Sequence, residues 1–260
     1  MEYQNLLVDK KDAVAVLTVN RPKALNSLNS AVLDELLTAL TEIGQDQSVK
    51  AVVLTGSGEK AFIAGADIAE MAGLNGQQAQ AFSRQGQQLV NLIGRMTKPV
   101  IAAVNGFALG GGLEMALACD FAYASENAKF GLPEVTLGIL PGFGGTQKLS
   151  RIIGRSRANE MIFTGKMLGA GEAKEWGIVN AVFPLGELVN KAVETAVKIS
   201  ANGSLGVASA KDAIRSGLDM GEAEGMSYES VLFGSLFATS DQKEGMKAFL
   251  EKRKAVFSGI

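Results

Sequence analysis

Histidine is absent from all 260 residues. Without an imidazole, neither a Ser-His-Asp triad nor a Cys-His pair can form. Proton transfer near neutral pH then falls to carboxylates, the next choice. Cysteine is almost absent too: Cys119 stands alone, so no disulfide can close within the chain. One cysteine and no histidine argue against a zinc or iron–sulfur site and leave only a carboxylate-held magnesium site open. There is no excess of positive charge, the formal net charge being -2, and so no electrostatic footprint for nucleic acid. No apolar run approaches the ~18 residues of a membrane span. The start, Met1-Glu2-Tyr3-Gln4, lacks the basic and apolar regions of a signal peptide and the arginine-rich character of a transit peptide. The expected location is cytoplasmic, with neither membrane nor nucleic acid as partner.

What is present describes a folded α/β chain. Hydrophobic residues make up 47% and charged residues 20%, which suits one large domain, or one domain with a helical appendage. Leu6 to Val8 and Ala13 to Val19 read as strands joined at Lys10-Lys11-Asp12. Asn29 or Ser30 can cap a helix running to about Gly44, with Val32, Leu33, Leu36, Leu37, Leu40 and Ile43 on its apolar face. Ala51 to Thr55 and Val100 to Val104 read as buried strands, and Gln77 to Met96 as a long helix. Leu113 to Ala118 reads as a short helix, Phe121 to Ala124 as a strand, and Gly138 to Gly145 as a Gly/Pro-rich tract. The remainder is mostly helical, with one strand near Ile178 to Phe183. Strands alternating with helices predict much parallel pairing.

Three stretches could carry chemistry. In Asn105-Gly106-Phe107-Ala108-Leu109-Gly110-Gly111-Gly112-Leu113-Glu114 a strand ends and three glycines precede a helix. Such glycines fit either tight packing or close approach of a ligand to bare amides, which would suit a phosphate or a developing oxyanion. No acid follows at the ribose position of a dinucleotide fold, and no Gly-Lys-Ser/Thr of a phosphate loop occurs. In Ala61-Phe62-Ile63-Ala64-Gly65-Ala66-Asp67-Ile68, Gly65 could aim the Ala66 N–H into a cleft, and Asp67 could simply cap the next segment of the chain. Glu134, after Pro133 and among Phe130, Leu132, Val135 and Leu137, would be partly desolvated and able to hold a proton near neutrality. Glu114 and Glu134 could equally be acids of a first helical turn. Taken together, two outward amides and two carboxylates suit chemistry beside a carbonyl.

These segments resemble the enoyl-CoA hydratase (crotonase) family along nearly the whole chain. The likeness is carried by Asn20-Arg21-Pro22-Lys23-Ala24-Leu25-Asn26-Ser27-Leu28, Ala61 to Met71, Lys98 to Asp120, Phe130 to Leu149 and Glu244 to Phe257. It is closest to the short-chain hydratases. The resemblance implies a crotonase-like spiral of ββα units over residues 1–200 and a C-terminal helical region over 201–260 that builds trimers, usually paired as hexamers. It implies an acyl-CoA thioester as substrate and no separate cofactor or metal. By position, Ala66 and Gly111 are the oxyanion-hole amides, and Glu114 and Glu134 the catalytic glutamates. Ala64, Ala66, Asp67, Ile68, Gly110 and Gly111 line the substrate. The resemblance also implies that the C-terminal region of a trimer neighbour can approach the CoA, which makes Lys243, Lys247 and Lys254 candidates for phosphate contacts, or ordinary solvated charges. The implied reaction is syn addition of water to a trans-2-enoyl thioester, Glu114 taking a proton from water and Glu134 protonating C2.

One scaffold hosts several reactions, so fold alone does not decide. Isomerases that shift the enoyl double bond can work with one carboxylate, and two favour hydration. Dehalogenase-like members need a histidine, which this chain lacks. Thioester hydrolases and a non-catalytic RNA-binding member are the remaining alternatives, the latter disfavoured by the acidic charge balance.

Overall fold

The computed structural model describes residues 3–260. β1 (Leu6–Lys11) and β2 (Val14–Val19) form an antiparallel hairpin. α1 (Ser30–Gln45) comes next, its first turn capped by the Asn29 side chain, which accepts from the Val32 N–H. Then come β3 (Ala51–Gly56), β4 (Ala61–Ile63), α2 (Ile68–Met71) and α3 (Gly76–Arg95). The pattern repeats as β5 (Val100–Val104), β6 (Phe107–Leu109) and α4 (Gly111–Ala116), and again as β7 (Phe121–Ser125) and β8 (Lys129–Gly131). After α5 (Gly145–Ile153) and α6 (Arg155–Thr164) lie β9 (Met167–Gly169), α7 (Ala170–Glu175), β10 (Ala181–Phe183) and α8 (Leu185–Ser200). α9 (Ser204–Gly217), α10 (Glu222–Leu236) and α11 (Ser240–Leu250) end the chain.

The strands sort into two sheets, ordered β1-β2-β3-β5-β7-β10 and β4-β6-β8-β9. Each turn of the spiral gives one strand to each sheet: β3 then β4, β5 then β6, β7 then β8. All these neighbours within a sheet run parallel. The small sheet has no counterpart in the strands read from sequence, because its members are three residues long and show no period. The helix expected from Leu113 begins two residues earlier, at Gly111.

The uninterrupted apolar runs of β3 and β5 reflect burial on both faces. Val52, Leu54, Ala102 and Val104 enter the main core. Val53, Ile101 and Ala103 meet Leu188, Ala192 and Ala196 of α8 on the other side. Each such side chain larger than alanine stabilises the fold by about 1.5–3 kcal/mol.

α9 and α10 differ: neither contains a fully buried residue. Met226, Val231 and Phe233 are exposed. α9 is pinned to the core through Lys211, whose Nζ donates to the Ile93 and Lys98 carbonyls and to Asp120 at 2.9 Å. Among the described residues no helix is long and apolar enough to cross a membrane.

Candidate active site

The site forms where the three short strands β4, β6 and β8 end. Past β4, Gly65 takes φ +96°, a conformation strained for a residue with a Cβ. Ala66 then pairs with Leu28 as an isolated parallel bridge. The Leu28 N–H donates to the Gly65 carbonyl at 2.8 Å, and the Asp67 N–H to the Leu28 carbonyl at 2.7 Å. Those bonds use the groups on either side of Ala66, so its own N–H points the opposite way, into the cleft.

Past β6, Gly110 takes φ +50° and ψ -126° and turns the chain into α4. The Gly111 N–H lies in that helix's first turn, where the helix supplies no acceptor. The glycine run serves packing as well as exposure. A Cβ on Gly112 would overlap the Ile63 carbonyl, and one on Gly110 would sit 2.8 Å from Glu134 Oε1.

Glu114 is one turn into α4 and 1% exposed. Its Oε1 accepts from the Phe143 N–H at 2.8 Å and the Gly145 N–H at 2.6 Å. Among the described residues none is hydrogen-bonded to Oε2. Burial drives its pKa up to about 7 against the restraint of the Gly145 and Phe143 amides, and the neighbouring Glu134 charge adds to the rise. Glu134 opens the short 3-10 turn Glu134–Leu137 beyond β8. Its Oε2 is buried without a hydrogen-bond partner, and burial raises its pKa too. Burial is thus the first cause of the raised pKa at both carboxylates.

Ala66, Gly111, Glu114 and Glu134 all line one cavity of about 740 Å³. Ala64, Ile68 and Gly110 also line it, and its far wall carries Phe82 and Phe143, whose rings lie 5.4 Å apart. Met71 at the end of α2, Leu74 just beyond it, and Gly142 from the Gly/Pro-rich tract also line it. Leu137, expected to help bury Glu134, is 57% exposed on the rim.

Asp67, expected to line the substrate, is not among the residues that line this cavity. Its N–H is spent on Leu28, and its side chain caps α2 by accepting from the Ala69 N–H and binds Arg21 at 3.2 Å. Lys243, Lys247 and Lys254 of this chain lie outside this cavity's lining. Sequence reasoning missed the amides of Phe143 and Gly145 as the holders of Glu114. The signal available was Gly144-Gly145 before a new helix: Gly144 takes φ +108°, and a Cβ on Gly145 would come 2.9 Å from Glu114 Oε1.

A family model described as enoyl-CoA hydratase/isomerase matches residues 9–259. The chain belongs to that family. It is 49% identical over 257 residues to the crotonyl-CoA hydratase of Syntrophomonas wolfei, covering 99% of each chain. It is 50% identical over 254 residues to the short-chain-enoyl-CoA hydratase of Clostridium acetobutylicum, covering 98% of this chain and 97% of that one. The crystal structure of an enoyl-CoA hydratase from Bacillus anthracis superposes with a TM-score of 0.96 at 44% identity, over 99% of this chain and all of the other. The two-sheet spiral is therefore the crotonase fold, and the cavity lies where its repeated units converge.

Proposed function

We propose that this protein is an enoyl-CoA hydratase, a hydro-lyase that adds water reversibly to short trans-2-enoyl-CoA thioesters. One observation carries the assignment of roles: two carboxylates, both resisting ionisation, share a cavity with two unpaired amides. The Ala66 and Gly111 N–H groups receive the thioester oxygen and stabilise the enolate that forms as C3 is attacked. A water sits between the glutamates. Glu114, through its Oε2, takes a proton from it; Glu134, whose burial favours the protonated form, delivers one to C2. Full-length likeness to hydratases named for crotonyl and short-chain substrates supports the substrate class.

Purified protein is expected to bleach the ultraviolet absorbance of crotonyl-CoA's conjugated thioester, at an unchanged rate with EDTA present, since no separate cofactor or metal enters this reading. Binding of the thioester without bleaching removes the hydratase assignment. The exposed apolar side chains of α9 and α10 support a further part of the reading, that residues 201–260 assemble the spiral core of 1–200 into trimers or paired trimers. Light scattering should then return a multiple of the 27.2 kDa chain, and a monomer would remove it. The cytoplasmic placement is checked by fractionation of the source cells.

A further inference from the structure

The segment carrying the Ala66 amide belongs to no long strand or helix, yet it is held at many points by the turn between Asn20 and Leu28. That turn is itself over-determined. Leu25 and Asn26 both take left-handed conformations, φ +50° and +59°, which side-chain-bearing residues hold only when their surroundings enforce them. Asn26 is wholly buried and uses every hydrogen-bonding capacity of its amide. Its Nδ2 donates to the Ser57 and Ala61 carbonyls at 3.0 and 2.8 Å. Its Oδ1 accepts from the Arg21 N–H at 2.9 Å and the Ser57 hydroxyl at 3.2 Å.

From this anchored turn three backbone bonds reach the cleft segment: the Ala64 N–H to the Leu25 carbonyl at 3.1 Å, and the two Leu28 bonds that flank Ala66. Arg21 closes the arrangement from behind. Its Nη1 donates to the Ser27 carbonyl at 2.6 Å and its Nη2 to Asp67 Oδ2 at 3.2 Å. One guanidinium thus grips both sides of the Leu28–Ala66 bridge. Its partner carboxylate adjoins Ala66 in sequence and simultaneously caps α2.

We infer that Arg21 and Asp67, backed by Asn26, form a positioning device that sets the direction of the Ala66 N–H, and hence how strongly the site polarises a thioester carbonyl. The inference rests on the proposed role of Ala66 as an oxyanion donor. None of the three side chains lines the cavity; each acts through the backbone of residues 64–67. Donors in such a site work through fixed direction, so a small rotation weakens stabilisation of the transition state more than binding of the ground state.

Two variants test this. Asp67→Asn keeps the cap oxygen for Ala69 but turns an N–H₂ donor toward Arg21. Arg21→Gln removes the grip on Ser27 and Asp67 while leaving the half-buried carboxylate in place. Each is assayed for kcat and KM with crotonyl-CoA. Each is also bound to an amino-substituted cinnamoyl-CoA, a chromophore whose absorbance moves to longer wavelength when its carbonyl is polarised. The expected result is a fall in kcat of about tenfold, short of the ~10²–10³ for losing a whole donor, with KM within about twofold. The chromophore's red shift shrinks in step, and circular dichroism stays that of the parent. A folded variant with parental kcat and red shift overturns the inference, as does a rise in KM alone. If one variant does not fold, the other decides. Failure of the parent protein to hydrate crotonyl-CoA or shift the chromophore at all would instead count against the proposed function.

Discussion

The two sheets of this molecule divide its labour. The large sheet has six-residue strands in β1, β2 and β3, sits between the main core and α8, and contributes no side chain to the cavity. The small sheet has strands of three residues, and the chain leaving three of them supplies Ala66, Gly111 and Glu134. Stability comes largely from apolar area, which long strands provide. Catalysis needs backbone turned out of regular pairing, which short strands provide at their ends. The spiral repeat brings those ends together, because each turn places one strand in each sheet.

The sharpest way to break this contrast is at the carboxylates. Glu114→Gln and Glu134→Gln, made singly, should each lose about 10²–10⁴-fold in kcat while still binding a CoA thioester, as isothermal titration can check. Next in size is Gly110→Ala at the end of β6. It places a Cβ 2.8 Å from Glu134 Oε1 at a φ of +50°, and should cost roughly 10²-fold in kcat by displacing both the proposed acid and the proposed oxyanion amide. The large sheet should answer in stability instead. Leu54→Ala in β3 empties wholly buried volume and should cost about 2–5 kcal/mol in urea unfolding, with kcat per folded molecule nearly unchanged.

The smallest effect concerns pH. The folded-state pKa of Glu114, about 7, lies above its ordinary 4.5. Between those values the folded protein binds more protons than the unfolded chain, so this group's contribution to stability is present below 4.5 and is lost as pH rises through 7. Glu114→Gln does not titrate and keeps an oxygen for the Phe143 and Gly145 amides. Its stability relative to the parent should therefore rise across that window, by up to ~3 kcal/mol. An unchanged difference would mean that Glu114 ionises normally in its buried place.

Legibility in the sequence divides along the same line. The strands of the large sheet announce themselves because Val52 to Leu54 and Val100 to Val104 are apolar without a break, the mark of two buried faces. The first helix's cap was narrowed to Asn29 or Ser30, and Asn29 supplies it. The small sheet was not, since three residues carry no period and Lys129–Gly131 looks like any loop. Glu114 and Glu134 stood out by the lack of histidine and by their flanks. The partners that set their behaviour did not, because the amides of Phe143 and Gly145 come from 29 and 31 residues away. At Asp67 the capping role open to it in the sequence is realised at Ala69, while the ion pair with Arg21, 46 residues away, was not legible.

The central claim is that both proton-moving groups and both amides act on one bound thioester from a single cavity. Crotonyl-CoA hydrated in deuterium oxide, with the product read by proton NMR, tests it directly. The account predicts one deuteron at C2, on the same face as the new C3 hydroxyl. Deuterium on the opposite face or on both faces, or a shifted double bond with no water added, would contradict it.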